Sequence, residues 1–157
     1  MEGIIIQMNI LEKLQLDLHK AMKDQDVPAK RSIRLLLSSL KFAEISKGSK
    51  LEDSEILAII QKEIKTKNET INDARKAERS DLIEESEDDI KVLEKYLPQQ
   101  LNTDELIQIA SNVISEVEAT SIKDMGRVMK VLIEKLAGSA SNQDASKVVK
   151  EILQSKS

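Results

Sequence analysis

Cysteine is missing from all 157 residues. That excludes disulfides, thiolate nucleophiles and thiolate-ligated zinc. Histidine occurs once, as His19. A single imidazole without positioned partners makes neither a metal site nor a nucleophile–base pair. It lies in the helical pattern LQLDLHKAMK and is expected to be a solvated helix residue. Rings are almost absent, with one Tyr, one Phe and no Trp. The core must therefore come from Leu, Ile, Val, Met and Ala, without the large area that each buried ring brings. Glycine and proline are scarce as well, at 4 and 2 residues. A chain rich in helix formers and poor in turn residues is expected to be all-helical.

No apolar run approaches the ~18 residues that a membrane-spanning helix needs, so no membrane contact is expected. The first stretch, MEGIIIQMNILEKL, has an acid at Glu2 and only a very short apolar run. It does not read as a secretion signal. The expectation is a cytoplasmic chain in which residues 1–7 form a flexible extension and Met8 is the natural start. Glycine-rich phosphate loops, the HExxH zinc motif and the GxSxG elbow are all missing. Serines and threonines are plentiful, but none has a base beside it in sequence. Neither a catalytic residue, nor a cofactor, nor a metal is expected.

The net charge of −4 disfavours a general polyanion binder, yet it conceals a patchwork. Residues 30–50 carry six basic residues against Glu44 alone, and residues 81–94 carry seven acids against Lys91 alone. Residues 121–150 again carry six basic residues, against Asp124, Glu134 and Asp144. Fields are local within a Debye length of ~8–10 Å, so an acidic chain can still present a basic face. The segments 27–46 and 81–96 could pair with each other or with a partner. The acids of the latter read as a solvated face.

Leu11, Leu14, Leu18 and Met22 recur at helical spacing and predict a first helix over 9–24. Asp26 and Pro28 open a second over 27–46, with Ile33, Leu36, Leu37, Leu40 and Ala43 inward, stopped by Gly48. Ile56, Ile60 and Ile64 define a third over 54–79, starting at Asp53 or Ser54. A fourth opens at Ser80 or Asp81, with Leu82, Ile83, Ile90, Leu93 and Leu97 inward. Proline pushes its preceding residue out of the α region, so this helix should end near Tyr96, ahead of Leu97-Pro98. Asn102 or Thr103 caps a fifth helix, Ser121 or Asp124 begins a sixth that ends at Gly138, and Asn142 opens a seventh. The expected architecture is all-α, with an N-terminal four-helix domain over 1–97 and a C-terminal three-helix domain over 98–157. Tyr96, Leu97 and Pro98 form the joint, with Tyr96 and Leu97 plugging the seam between the domains.

In the run KDMGRVMK, Gly126 lies inside a helical pattern, at a cost of ~1 kcal/mol relative to alanine. A glycine there suggests close approach, by another helix or by a ligand. Arg127 and Lys130, three residues apart, share a face beside it. Lys123 precedes them, and Lys147 and Lys150 repeat the spacing on the last helix. These five are the candidate phosphate-binding residues; ordinary solvated lysines are the alternative.

Several of these runs occur together in one known family. They are PAKRSIRLLLSSLKFAEI (28–45), QKEIKTKNETI (61–71), Arg79 to Leu82, YLPQQL (96–101), Asp104 to Leu106 and KDMGRVM (123–129). In this order and spacing the chain resembles the YqeY family from Met8 onward. Its C-terminal part is similar to the tail domain of GatB, a subunit of the tRNA-dependent amidotransferase. The resemblance implies an all-helical fold whose C-terminal part holds tRNA or other structured RNA and does no chemistry itself. Two further roles are compatible with it: a protein-interaction adaptor in translation, and an accessory subunit of a glutamine-dependent carbon–nitrogen ligase. The chain departs from the family pattern at Ser139, where a lysine is usual, and at Lys67, where an arginine is usual.

Overall fold

The computed structural model describes residues 8–156. The proposed extension and alternative start at residues 1–7 lie outside them. Seven α-helices and one 3₁₀ turn make up the described chain, with no strand among these residues. They are α1 (Ile10–Lys23), α2 (Val27–Lys47), α3 (Asp53–Lys76), α4 (Ser80–Glu94), α5 (Thr103–Glu116), α6 (Met125–Leu136) and α7 (Asn142–Lys156). The 3₁₀ turn spans Ile122–Asp124.

Side-chain caps fix several helix starts. Asn9, Asp26 and Asn102 each accept a hydrogen bond from the backbone N–H three residues on. This satisfies one of the donors that a helix start leaves open. Three helix ends share one closing device. Asp26 N–H donates to Ala21 O, Arg79 N–H to Ala74 O and Ala119 N–H to Ile114 O, at 2.8–3.0 Å. The residue before each donor is left-handed: Gln25, Glu78 and Glu118, with φ of 55–56°. Glycine usually fills this position. α2 follows that habit, with Gly48 at φ 81° as its cap.

The described residues form two compact units that divide after Tyr96. In the first unit, α3 packs on α4, and α2 packs on both α1 and α4. Its core holds Leu14, Ile33, Leu36, Leu40, Ile56, Ile60, Ile71, Val92 and Leu93. In the second, α5, α6 and α7 pack mutually around Ala110, Val113, Ile114, Val128, Leu132, Val149 and Leu153. Both cores are aliphatic, as the shortage of rings requires. Burying each such Leu or Ile contributes roughly 1.5–3 kcal/mol relative to exposure.

The inward face of α4 differs from the expected one. Ser86, Asp89, Val92 and Leu93 are buried, while Leu82 is exposed. Asp89, expected on a solvated acidic face, is only 2% exposed. Positions 86, 89 and 93 recur at i, i+3 and i+7, so the helix turns Asp89 inward with Leu93. The helix also stops at Glu94, two residues before Tyr96, with Tyr96 N–H closing onto Leu93 O.

Candidate nucleic-acid interface

In α6, Val128, Leu132 and Leu136 face the core. Arg127 and Lys130 lie outward and exposed, as do Lys147 and Lys150 on α7, whose buried side holds Ala145, Val148, Val149 and Leu153. Lys123 is exposed in the 3₁₀ turn just ahead of α6. Each predicted pair therefore occupies the solvent side of its own helix. Among the described residues no acid pairs with Lys123, Lys130, Lys147 or Lys150.

Arg127 is different. Its Nη2 lies 3.2 Å from Asp124 Oδ1. Asp124 also accepts the backbone N–H groups of Thr120 (2.9 Å) and Ser121 (3.3 Å). These two bonds, followed by Arg127, hold its carboxyl below the usual carboxylate range. The aspartate thus builds the turn that starts α6 and holds Arg127 over it. Lys135 is engaged with Glu116 of α5 at 2.7 Å.

The expectation that a neighbouring helix closes on Gly126 is corrected. Position 126 is exposed, and a methyl group placed there would meet nothing within 4 Å. The reason is its place on the helix, roughly 200° around from Val128 and so away from the core. Gly126 instead leaves a bare patch of backbone near the positive end of α6, between Lys123, Arg127 and Lys130. Ser139, where the resemblance implies a lysine, is engaged in its own turn. Its Oγ donates to Leu136 O at 2.6 Å, and its carbonyl accepts from Leu101 N–H at 2.9 Å, so it serves the turn after α6.

Tyr96 is anchored in the first unit. Its phenol donates to Asp17 Oδ2 at 2.6 Å, and the ammonium of Lys13 stands 5.0 Å from the ring centre. Burial, then Asp17, push the phenol pKa well up. Pro98 and Gln99 are exposed, and Gln100 Nε2 donates to Pro98 O and Gly138 O. His19 is exposed, as expected. Among the described residues no group of three acids or histidines is placed to hold a metal ion.

A polar cluster in the first unit was missed in the reading of the sequence. Asp89 Oδ1 accepts Arg31 Nη2 at 2.7 Å, Arg31 Nε at 3.3 Å and Ser32 Oγ at 2.6 Å. Its Oδ2 faces Lys67 Nζ at 3.1 Å. Burial raises the Asp89 pKa, but hydrogen bonds from Ser32, Arg31 and Lys67 outweigh it and leave the group below its ordinary value. One carboxylate thereby ties α2, α3 and α4 together. Lys67, the departure from the family arginine, still supplies its cation here. Glu85 adds a looser contact to Arg31 at 3.7 Å. The basic α2 and acidic α4 therefore do pair with each other, through this one arginine. A cavity of about 30 Å³ adjoins the cluster, lined by Ser32, Leu35, Leu36, Glu63, Lys67, Asp89 and Leu93.

The sequence model described as Yqey-like protein matches residues 11–153. The chain belongs to the YqeY family. Among similar proteins, one from Pyrenophora tritici-repentis is named Altered inheritance of mitochondria protein 41, mitochondrial. It is 29% identical over 153 residues, 94% of this YqeY-family chain and 82% of the relative. A Saccharomyces cerevisiae protein of the same name is 30% identical over 123 residues, 78% of this chain and 65% of the relative. An uncharacterized protein of Schizosaccharomyces pombe is 31% identical over 90 residues, 57% of this chain and 71% of that one. Among the described residues of this YqeY-family chain, no helix is long and apolar enough to cross a membrane.

Proposed function

We propose that this YqeY-family chain is a non-catalytic helical module that binds structured RNA, with tRNA the expected class, through α5–α7. The observation that carries this reading is the set of exposed, unpaired lysines around the open backbone at Gly126: Lys123 and Lys130, with Lys147 and Lys150 on the next helix. A surface lysine without an acidic partner keeps its full charge for a phosphate, and a bare glycine lets a sugar–phosphate backbone come close. The likeness of residues 123–129 to the GatB tail supports tRNA as the class. Such contacts are to phosphates, so affinity falls steeply with salt, by a slope that grows with each phosphate neutralised. The module acts by holding RNA for a partner's chemistry.

Its setting is an aqueous compartment that contains tRNA. Both the cytoplasm and the interior of mitochondria meet this requirement, and the relatives' names point to the second; fractionation of the native source decides between them. The functional test is a gel shift of unfractionated tRNA with the full chain at low salt. Binding is expected, and the double variant Arg127→Glu/Lys130→Glu should abolish it while leaving the helical spectrum unchanged. Absence of any shift by the parent chain at low salt ends the proposal.

A further inference from the structure

We infer that the outward face of α2 is a docking surface for an amphipathic helix of a partner protein, one whose apolar stripe is bordered by aspartate and glutamate. α2 buries Ser32, Ile33, Leu36 and Leu40. On its other side Leu35, Phe42 and Ile45 are 56%, 72% and 71% exposed. Spacings of seven and three residues align them along one stripe, about 15 Å long at 1.5 Å per residue. Ser38 and Ser39 lie between them, so the stripe has a shallow middle. Phe42 is the only phenylalanine of a chain whose buried cores contain no ring. Its exposure leaves the largest apolar side chain in water.

The borders of the stripe differ. On one border stand Arg34 and Lys41, both exposed. Among the described residues Lys41 has no charged partner, and Arg34 reaches the Met22 sulfur at 3.9 Å but no acid. On the other border Leu35 is also part of the wall of the cavity shared with Glu63 and Lys67 of α3. The stripe thus borders, at Leu35, a small cavity that α2 shares with α3 and α4. Helices recognised in grooves present apolar anchors at i, i+3, i+4 and i+7, with charges at the edge setting orientation.

Charge decides the occupant. A second copy docking face to face in the antiparallel sense would bring Arg34 and Lys41 against their own counterparts, which is repulsive, and in the parallel sense α2 offers these cations only one acid, Glu44. RNA would satisfy the cations but leave Leu35 and Ile45 wet, since nucleic acids stack on rings rather than on aliphatic stripes. A helix with an apolar stripe and an acidic edge satisfies both features together. This surface belongs to the first unit and the proposed RNA face to the second, and the two proposals stand or fall independently.

The test places the photocrosslinking residue p-benzoylphenylalanine at position 42 of the full chain, expressed in cells of the native source. The expected result is a discrete protein adduct. The crosslinked segment, sequenced by mass spectrometry, should read as a helix with apolar i, i+3, i+4 spacing and adjacent Asp or Glu. A synthetic peptide of that segment should bind the purified parent chain, and Ile45→Ser should weaken it by about ten-fold or more, as loss of an interface anchor does. Arg34→Glu/Lys41→Glu should weaken it at least as much. All these positions are exposed, and an unchanged thermal transition confirms that each variant is folded. Adducts only to lipid, to RNA or to a second copy overturn the inference. So does the absence of a discrete adduct, or peptide binding indifferent to charge reversal.

Discussion

Replacing Asp89 by asparagine should melt the first unit well below the parent. The amide keeps the shape of the carboxylate but not its chemistry. Asp89 Oδ1 now accepts Ser32 at 2.6 Å and Arg31 at 2.7 Å, while Oδ2 faces Lys67 at 3.1 Å. If the amide oxygen stays toward Arg31 and Ser32, the NH₂ group confronts the Lys67 ammonium, donor against donor. Turning the amide over moves the same conflict to Arg31 and Ser32. Removing one partner of a buried ion pair costs ~3–5 kcal/mol. Here the Arg31 and Lys67 side chains are 32% and 27% exposed, so both can turn partly to water. That lowers the expected cost to about 2–3 kcal/mol. For a unit of this size each kcal/mol moves the midpoint by ~4–8 °C, which predicts a fall on the order of 10–20 °C. The assay is built into the chain. Tyr96 is its only tyrosine and hydrogen-bonds within the first unit, so its fluorescence and near-ultraviolet dichroism report on that unit. Glu87→Gln, at an exposed position of the same helix, serves as the control and should stay within ~0.5 kcal/mol of the parent. An Asp89→Asn protein whose tyrosine transition lies within ~2 °C of the parent refutes the claim that this carboxylate ties the three helices.

Two further outcomes follow from the same structure. The folded-state pKa of Asp89 lies below its ordinary value, so its contribution is present above the unfolded pKa of ~3.9 and is lost as pH falls through the folded value. Stability followed by Tyr96 should therefore decline below about pH 5, and Asp89→Asn should show a shallower acid limb; parallel limbs contradict this assignment. Gly126→Ala fills open space on a helix and should stabilise the second unit by ~0.5–1 kcal/mol, measured by urea unfolding. A loss of stability instead means that something within the protein occupies that space.

The helices were legible because their signals are local. Leu14, Ile33, Ile60, Val113 and Leu132 recur at helical spacing, and Asp26 and Asn102 cap as their side chains dictate. The start at Ser121 or Asp124 was legible too, because Ser121 and Asp124 have capping-box spacing; that the first turn is 3₁₀, with the Asp124 carboxylate reaching back to Thr120 and Ser121, was not. Gly126 was recognised as unusual, but whether a neighbour stands over it depends on packing direction, which spacing within one helix does not fix. The Asp89 cluster was hidden for a related reason. In a run of seven acids, composition argues for solvent, and only the phase shared with Ser86 and Leu93 argues otherwise. Its partners lie 57 and 58 residues away at Ser32 and Arg31, on a helix whose cations read equally well as a surface patch. The inward face of α2 was legible, with Leu36 and Leu37 turned in; the exposed stripe was not, because Leu35, Phe42 and Ile45 become a surface only once nothing in the unit is seen to cover them.

The left-handed helix ends bear on how far this protein could still be improved. Gln25, Glu78, Glu118 and Ala137 each hold a conformation that costs an L-residue roughly 1–2 kcal/mol and glycine almost nothing. Part of any gain from glycine is returned through the greater freedom of the unfolded chain. Even so, four simple replacements stand open that would leave every core contact in place. A molecule kept only as stable as its work demands is expected to carry such unused replacements. Those turns are a reserve on which an engineer could draw before touching either candidate surface.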